Sequence, residues 1–181
     1  MPKELITSLG IDLSLVGTGL VVLENGIMSE QKLIKSKPVG ERPTDELARI
    51  RFIVKQIKEM VDRYRPTIAV IENLAFMARN TTALTQLAGL NYFTRAMLVD
   101  YGIPFYLVAP TSLKKFVTGN GASKKDVMLI EVYKRWGVTI LDDNICDAYG
   151  LAQIGLALMG GNSKITIERQ NEVLDLLKKQ L

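Results

Sequence analysis

Apolar and polar positions recur along this chain with two periods, and the switches between them mark out its elements. Residues 5–12, Leu-Ile-Thr-Ser-Leu-Gly-Ile-Asp, are apolar and strand-like, and Gly17-Thr18-Gly19-Leu20-Val21-Val22-Leu23 makes a second strand. Asn25-Gly26 signals a two-residue hairpin, since both residues tolerate the positive φ that a tight turn needs. Residues 27–35 form a third strand, so the chain opens as an antiparallel meander. Pro38, Gly40 and Pro43 then mark a loop, and Thr44 is placed to cap a helix. In it Leu47, Ile50, Ile53, Val54, Ile57, Met60 and Val61 recur at helical spacing. Arg65-Pro66 ends that helix, and Thr67-Ile68-Ala69-Val70-Ile71-Glu72 reads as a buried parallel strand ending in an acid.

The second half reads as mostly helical. A helix is predicted over about residues 82–101, ended by Gly102, and a strand over residues 104–108. Pro110 opens a short helix through Phe116, which Gly119-Asn120-Gly121 breaks. Ser123 is placed to cap a helix carrying Val127, Ile130, Val132 and Tyr133 and ending near Gly137. Asp142-Asp143-Asn144 precedes a long apolar helix to about Met159, and an amphipathic helix follows over residues 167–181. No repeat or linker interrupts this order. It predicts one α/β domain over residues 1–181, with a C-terminal helical extension from about residue 160. Its mixed five-stranded sheet would join the three-strand antiparallel meander to two parallel strands, with helices on its flanks.

Composition narrows the chemistry. Among 181 residues there is no His and a single Cys, Cys146. Triads and general bases built on His, imidazole zinc sites, Cys clusters and an intrachain disulfide are all excluded. Hydrolytic chemistry would have to run on carboxylates, lysines, hydroxyls or hard cations. The net charge of +4 fits a polyanionic partner without demanding one. The start of the chain lacks the pattern of a cleaved leader. The most apolar late stretch, residues 148–159, is interrupted by Gln153 and too short for a bilayer. The expectation is a cytoplasmic protein with no membrane contact.

Three acids sit at element ends or against apolar sequence: Asp12, Glu72 and Asp147. If the strands ending in Asp12 and Glu72 are adjacent and parallel, both carboxylates emerge at one sheet edge, where open α/β sheets place their ligands. Each acid alone has an ordinary reading: a turn residue for Asp12, a loop ion pair for Glu72, a helix cap for Asp147 or Asp143. Gathered together they would repel, and a pair of Mg²⁺ ions would relieve that while activating water for phosphodiester hydrolysis.

Four segments carry a resemblance. Leu9-Gly10-Ile11-Asp12-Leu13-Ser14-Leu15-Val16-Gly17-Thr18-Gly19 resembles the first strand and turn of RuvC-type Holliday junction resolvases, and Ile71-Glu72-Asn73-Leu74-Ala75-Phe76-Met77-Ala78-Arg79-Asn80 their second acidic motif. Phe116-Val117-Thr118-Gly119-Asn120-Gly121-Ala122-Ser123-Lys124-Lys125 resembles their basic Gly-x-Gly segment, and Asp147-Ala148-Tyr149-Gly150-Leu151-Ala152 their last acidic motif. Each motif is short, but all four fall in family order over about residues 5–158.

The resemblance implies a ribonuclease H-like fold and a nuclease dependent on Mg²⁺ or Mn²⁺, with two ions per site. It also implies a homodimer that nicks opposing strands of a branched DNA, the four-way junction. It makes Asp12, Glu72 and Asp147 metal ligands. The family's fourth ligand, Asp or His, stands three residues before the last acid, where this chain has Asn144. Asp143, four residues before, is the expected replacement, with Asn144 as competitor. Lys114 and Lys125 fall at the family's catalytic lysine positions. Lys115 and Lys124 would hold DNA backbone or stay solvated. Phe76 would stack on a base or pack in an interface, and Arg79 would contact DNA. Leu84, Leu87, Leu90 and Leu98 are candidates for the dimer face. An actin-like ATPase opens with a similar strand, Asp and Thr-Gly hairpin, but needs two such domains and a second phosphate loop. A broad branched-DNA or RNA nuclease of the same fold stays open as an alternative, as does a non-catalytic binding module.

Overall fold

The computed structural model describes residues 5–74, 81–164 and 167–180. The meander forms as β1 (Thr7–Asp12), β2 (Gly17–Glu24) and β3 (Ile27–Lys35), with Asn25 and Gly26 at φ of 50° and 90° in the hairpin. The next elements are α1 (Pro43–Tyr64), β4 (Ile68–Glu72), α2 (Thr81–Asp100) and β5 (Phe105–Val108). Among the described residues α3 (Pro110–Thr118), α4 (Lys125–Trp136), α5 (Asp143–Leu158) and α6 (Glu168–Leu177) follow, with a 3-10 turn at Lys178–Gln180. The strand order is β3-β2-β1-β4-β5. β1 pairs antiparallel with β2 and parallel with β4, and β4 pairs parallel with β5. This is the expected mixed five-stranded sheet.

Period-two alternation splits the core between the sheet's faces. Leu9, Ile11, Leu20, Val22, Ala69 and Ile71 pack with Ile53 and Ile57 of α1 and Leu90 and Leu98 of α2. Val21, Leu23, Ile68, Val70, Tyr106 and Val108 pack on the other side with residues of α3, α4, α5 and α6. Two caps differ from expectation. Arg42, not Thr44, is the N-cap of α1, with Pro43 in the first turn and the Asp45 carboxylate accepting from Arg42 N and Nε at 3.2 and 3.0 Å. Lys124, not Ser123, is the N-cap of α4. The Ser123 hydroxyl instead bonds Thr118 Oγ1 at 2.7 Å across the intervening turn, because a buried hydroxyl needs a partner wherever it can find one.

Helix α5 lies directly on the sheet backbone. A Cβ on Gly10 would overlap the Ala148 carbonyl oxygen, and one on Gly19 would overlap the carbonyl of Asn144. At the far end a Cβ on Gly155 would overlap Ser8 Oγ, which donates to Ala152 O at 2.8 Å. Only bare strand backbone at Gly10 and Gly19 lets the helix come this close. Gly10→Ala is expected to destabilise the fold by about 1–3 kcal/mol through overpacking. A urea titration should show a lowered midpoint with an unchanged slope. An unchanged midpoint would mean that α5 can retreat freely.

Candidate active site

Strand parity decides where the acids point. Leu9 and Ile11 face α1 and α2, so Ser8, Gly10 and Asp12 face α5. Ile11 is in register with Ile71 on the parallel strand β4, and Asp12 and Glu72 each follow by one residue. They therefore leave the same edge of the sheet on the same face. The first turns of α5 cross Gly19 and Gly10, and this brings Asp147 over that edge. Asp12 is 6% exposed.

Burial and neighbouring charge raise all three carboxyls. Burial, with the neighbouring Glu72 and Asp147, raises Asp12 to about 8. Burial and Asp147 raise Glu72 to about 7. Burial raises Asp147 to about 6, against the lowering influence of Lys125 and Lys114. The contact between Asp12 and Glu72 raises the first and lowers the second. Among the described residues no three Asp, Glu or Cys side chains already enclose a common cation position. Clustered carboxyl oxygens largely withdrawn from water suit hard divalent cations. Cys146, buried and pushed up to about 12 by its burial, offers neither thiolate ligand nor nucleophile.

Asp142 caps α5, its Oδ1 accepting from Asn144 N and Ile145 N at 2.9 and 3.2 Å. Asp143 is thereby released from capping and pairs with Lys125, Oδ2 to Nζ at 3.2 Å. Asn144 turns the other way: its Nδ2 lies 3.2 Å from where a Cβ on Gly17 would sit. Lys125, first residue of α4, and Lys114, on α3, both lie close enough to lower Glu72 and Asp147. Lys115 instead makes an ion pair with Glu172 of α6, and Lys124 is exposed at the α4 N-cap. Phe76 and Arg79 lie outside the described residues. Sequence reading missed Arg49. Its guanidinium donates to Leu15 O at 2.6 Å and Ser36 Oγ at 3.0 Å, clamping the turn that leaves Asp12. Nothing in the sequence signals a contact between residues 34 apart on different elements.

The raised carboxyls fix a pH dependence. The folded, metal-free protein keeps protons that the unfolded chain has released, across the window from about pH 4 to about pH 8. Stability without metal therefore falls as pH rises through that window. Asp12→Asn should flatten the fall. Urea midpoints measured in chelator at about pH 5 and about pH 8.5 check both, and a wild-type midpoint that rises with pH would contradict them.

The family model of crossover junction endodeoxyribonuclease RuvC matches residues 8–154, a span that runs from β1 into α5 and includes all three acids. The RuvC of Brachyspira hyodysenteriae is 30% identical over 146 residues, covering 80% of this chain and 90% of that protein. The RuvC of Prochlorococcus marinus is 30% identical over 157 residues, covering 82% and 96%. Among solved structures, Thermus thermophilus RuvC in complex with Holliday junction substrate matches with a TM-score of 0.70 at 20% identity, covering 86% of this chain and 96% of that one. The yeast mitochondrial Holliday junction resolvase matches with a TM-score of 0.60 at 12% identity, over 96% and 84%. At those identities the structures speak for the fold, which is theirs. With its four motifs in order and a family match over most of its length, the chain belongs to the crossover junction endodeoxyribonuclease RuvC family.

Proposed function

We propose that this chain resolves four-way DNA junctions by paired nicks, in a hydrolysis that uses Mg²⁺ or Mn²⁺, two ions per site. The observation that carries this reading is that buried Asp12 and half-buried Glu72 and Asp147 meet at one sheet edge with two lysines beside them. The family's reaction is metal dependent. When bound, divalent cations would lower the pKa of an attacking water and neutralise charge on the leaving oxygen. Asp12, Glu72 and Asp147 would hold them, with Asp143 as fourth acid, since Asn144 brings no charge and leans toward Gly17. Lys125 and Lys114 would face the scissile phosphate and stabilise its developing charge. Among the described residues no helix is long and apolar enough to cross a membrane. A nuclease acting on branched DNA fits the cytoplasm.

Asp12→Asn should lose more than about a hundredfold in nicking rate while keeping junction binding, since losing a ligand costs more than losing its outer-shell support. Single-turnover assays of wild type and variant on labelled four-way, three-way, flap, duplex and RNA substrates give the test. Near-normal cutting by the variant removes Asp12 from the site, and preferential cutting of RNA or plain duplex removes the junction reading.

Paired nicks on a two-fold substrate are most simply made by a two-fold dimer. Of the four α2 leucines expected at its interface, Leu90 and Leu98 are fully buried in the monomer core and Leu87 packs against them. The free face of the helix carries Tyr92, Phe93 and Val99, at 63, 44 and 65% exposure. Tyr92→Glu is accordingly expected to shift a dimer to monomer in sedimentation at micromolar concentration. A wild type that sediments only as monomer, with or without junction DNA, would refute the dimer.

A further inference from the structure

A second feature opens at the catalytic edge of the sheet, on the face opposite the acids. Lys35, the last residue of β3, is in register with Gly17, the first of β2, so the loop that follows it starts beside the turn leaving Asp12. Between this loop and α1 lies an open groove of about 330 Å³, lined by Lys35, Ser36, Lys37, Val39, Ala48, Arg49 and Phe52. That volume sits at the small end of ligand clefts, on the order of a single nucleoside.

Three properties of the lining converge. No acid lines the groove, and among the described residues Lys35, Lys37 and Arg49 form no ion pair with a carboxylate. Its apolar members stand out in water: Phe52 is 48% exposed and Val39 79%. Its wall is rigid on the catalytic side, because Arg49 is fixed to Leu15 O and to Ser36, whose own hydroxyl also donates to Leu15 O. Unpaired cations around an exposed aromatic form the pattern that binds single-stranded nucleic acid: phosphates meet the charges while an unstacked base covers the ring. A duplex hides its bases and could use only the charges.

We propose that this groove is a subsite for an unpaired DNA strand, with Phe52 stacking one base and Lys35 and Lys37 holding the flanking phosphates. It rests on the branched-DNA reading only for the reason such a strand is at hand. A branch whose strands separate at the acids would feed one of them past the Leu15 turn into the groove.

The test uses the full chain carrying Asp12→Asn, with fluorescein-labelled oligothymidylate as probe and anisotropy as readout. Adding Phe52→Ala should weaken oligothymidylate binding about tenfold or more, and blunt duplex binding less than about twofold. Lys37→Ala should lower the salt slope for oligothymidylate by about one unit. Phe52→Trp should keep the affinity, and its fluorescence should be quenched as oligothymidylate is added. Equal oligothymidylate affinity with and without Phe52→Ala would overturn the proposal, as would an equal loss on duplex. If the wild type cuts no branched substrate, the junction reading fails, and the groove still stands or falls on the oligothymidylate result.

Discussion

The close seating of α5 on bare strand backbone is the contact on which the rest of this structure depends. Gly10 and Gly19 remove the side chains that would hold a helix at ordinary distance, and the carbonyls of Ala148 and Asn144 occupy the space. Burial of the whole apolar helix against Ile68, Val70 and Tyr106 then follows, with Gly150 admitting Leu113 and Val117 of α3 on the opposite side. An acid carried at Asp147 on so tightly held a helix cannot drift from Asp12. The geometry of the site is set by packing, several residues away from its chemistry.

That packing creates an electrostatic problem and supplies part of its answer. Three carboxyls share one edge, where burial is the largest cause of the raised value for all three and neighbouring acids add to it. Lys114 and Lys125 offset some of the repulsion from one side, and the rest calls for cations. Capping by Asp142 matters here, because it satisfies the first amides of α5 and frees Asp143 to meet Lys125. Two adjacent acids with the same chemistry thus have different duties, one to the helix end and one to the site.

The C-terminal helix also serves the site from a distance. Arg169 donates to Gly119 O at 2.7 Å, and Glu172 pairs with Lys115, so α6 braces the C-terminal half of α3 and the turn that leaves it. Gly119 itself sits at φ 83°, where a side chain would be strained, and the Thr118 hydroxyl accepts from Asn120 N at 3.0 Å beside it. The bond from Thr118 Oγ1 to Ser123 Oγ then ties the end of α3 to the residue just before the α4 cap, between Lys114 and Lys125. The sheet's far edge is closed in a similar way, with the Gln180 side chain bonding both N and O of Leu107 on β5.

Local rules carried much of this protein. The hairpin at Asn25-Gly26, the strand ends at Asp12 and Glu72 and the helix stops at Arg65 and Gly137 depend on backbone preferences and hydrophobic period, which act within a few residues and are written in the chain. So are the absence of His and the order of the acidic motifs, which together narrowed the chemistry to carboxylates and lysines. Tertiary structure decided what depends on pairing at long range. Leu90 and Leu98 carry the same apolar signal whether they face a core or a partner, and only the position of α1 and the sheet turned them inward. Lys115 and Lys125 look alike in sequence, but Glu172 engages one and the acids the other. The clamp from Arg49 to Leu15 joins residues 34 apart. Side-chain identity sets what a residue can bind, but which partner it finds is fixed by how the helices pack on the sheet, and that information is spread over the whole chain.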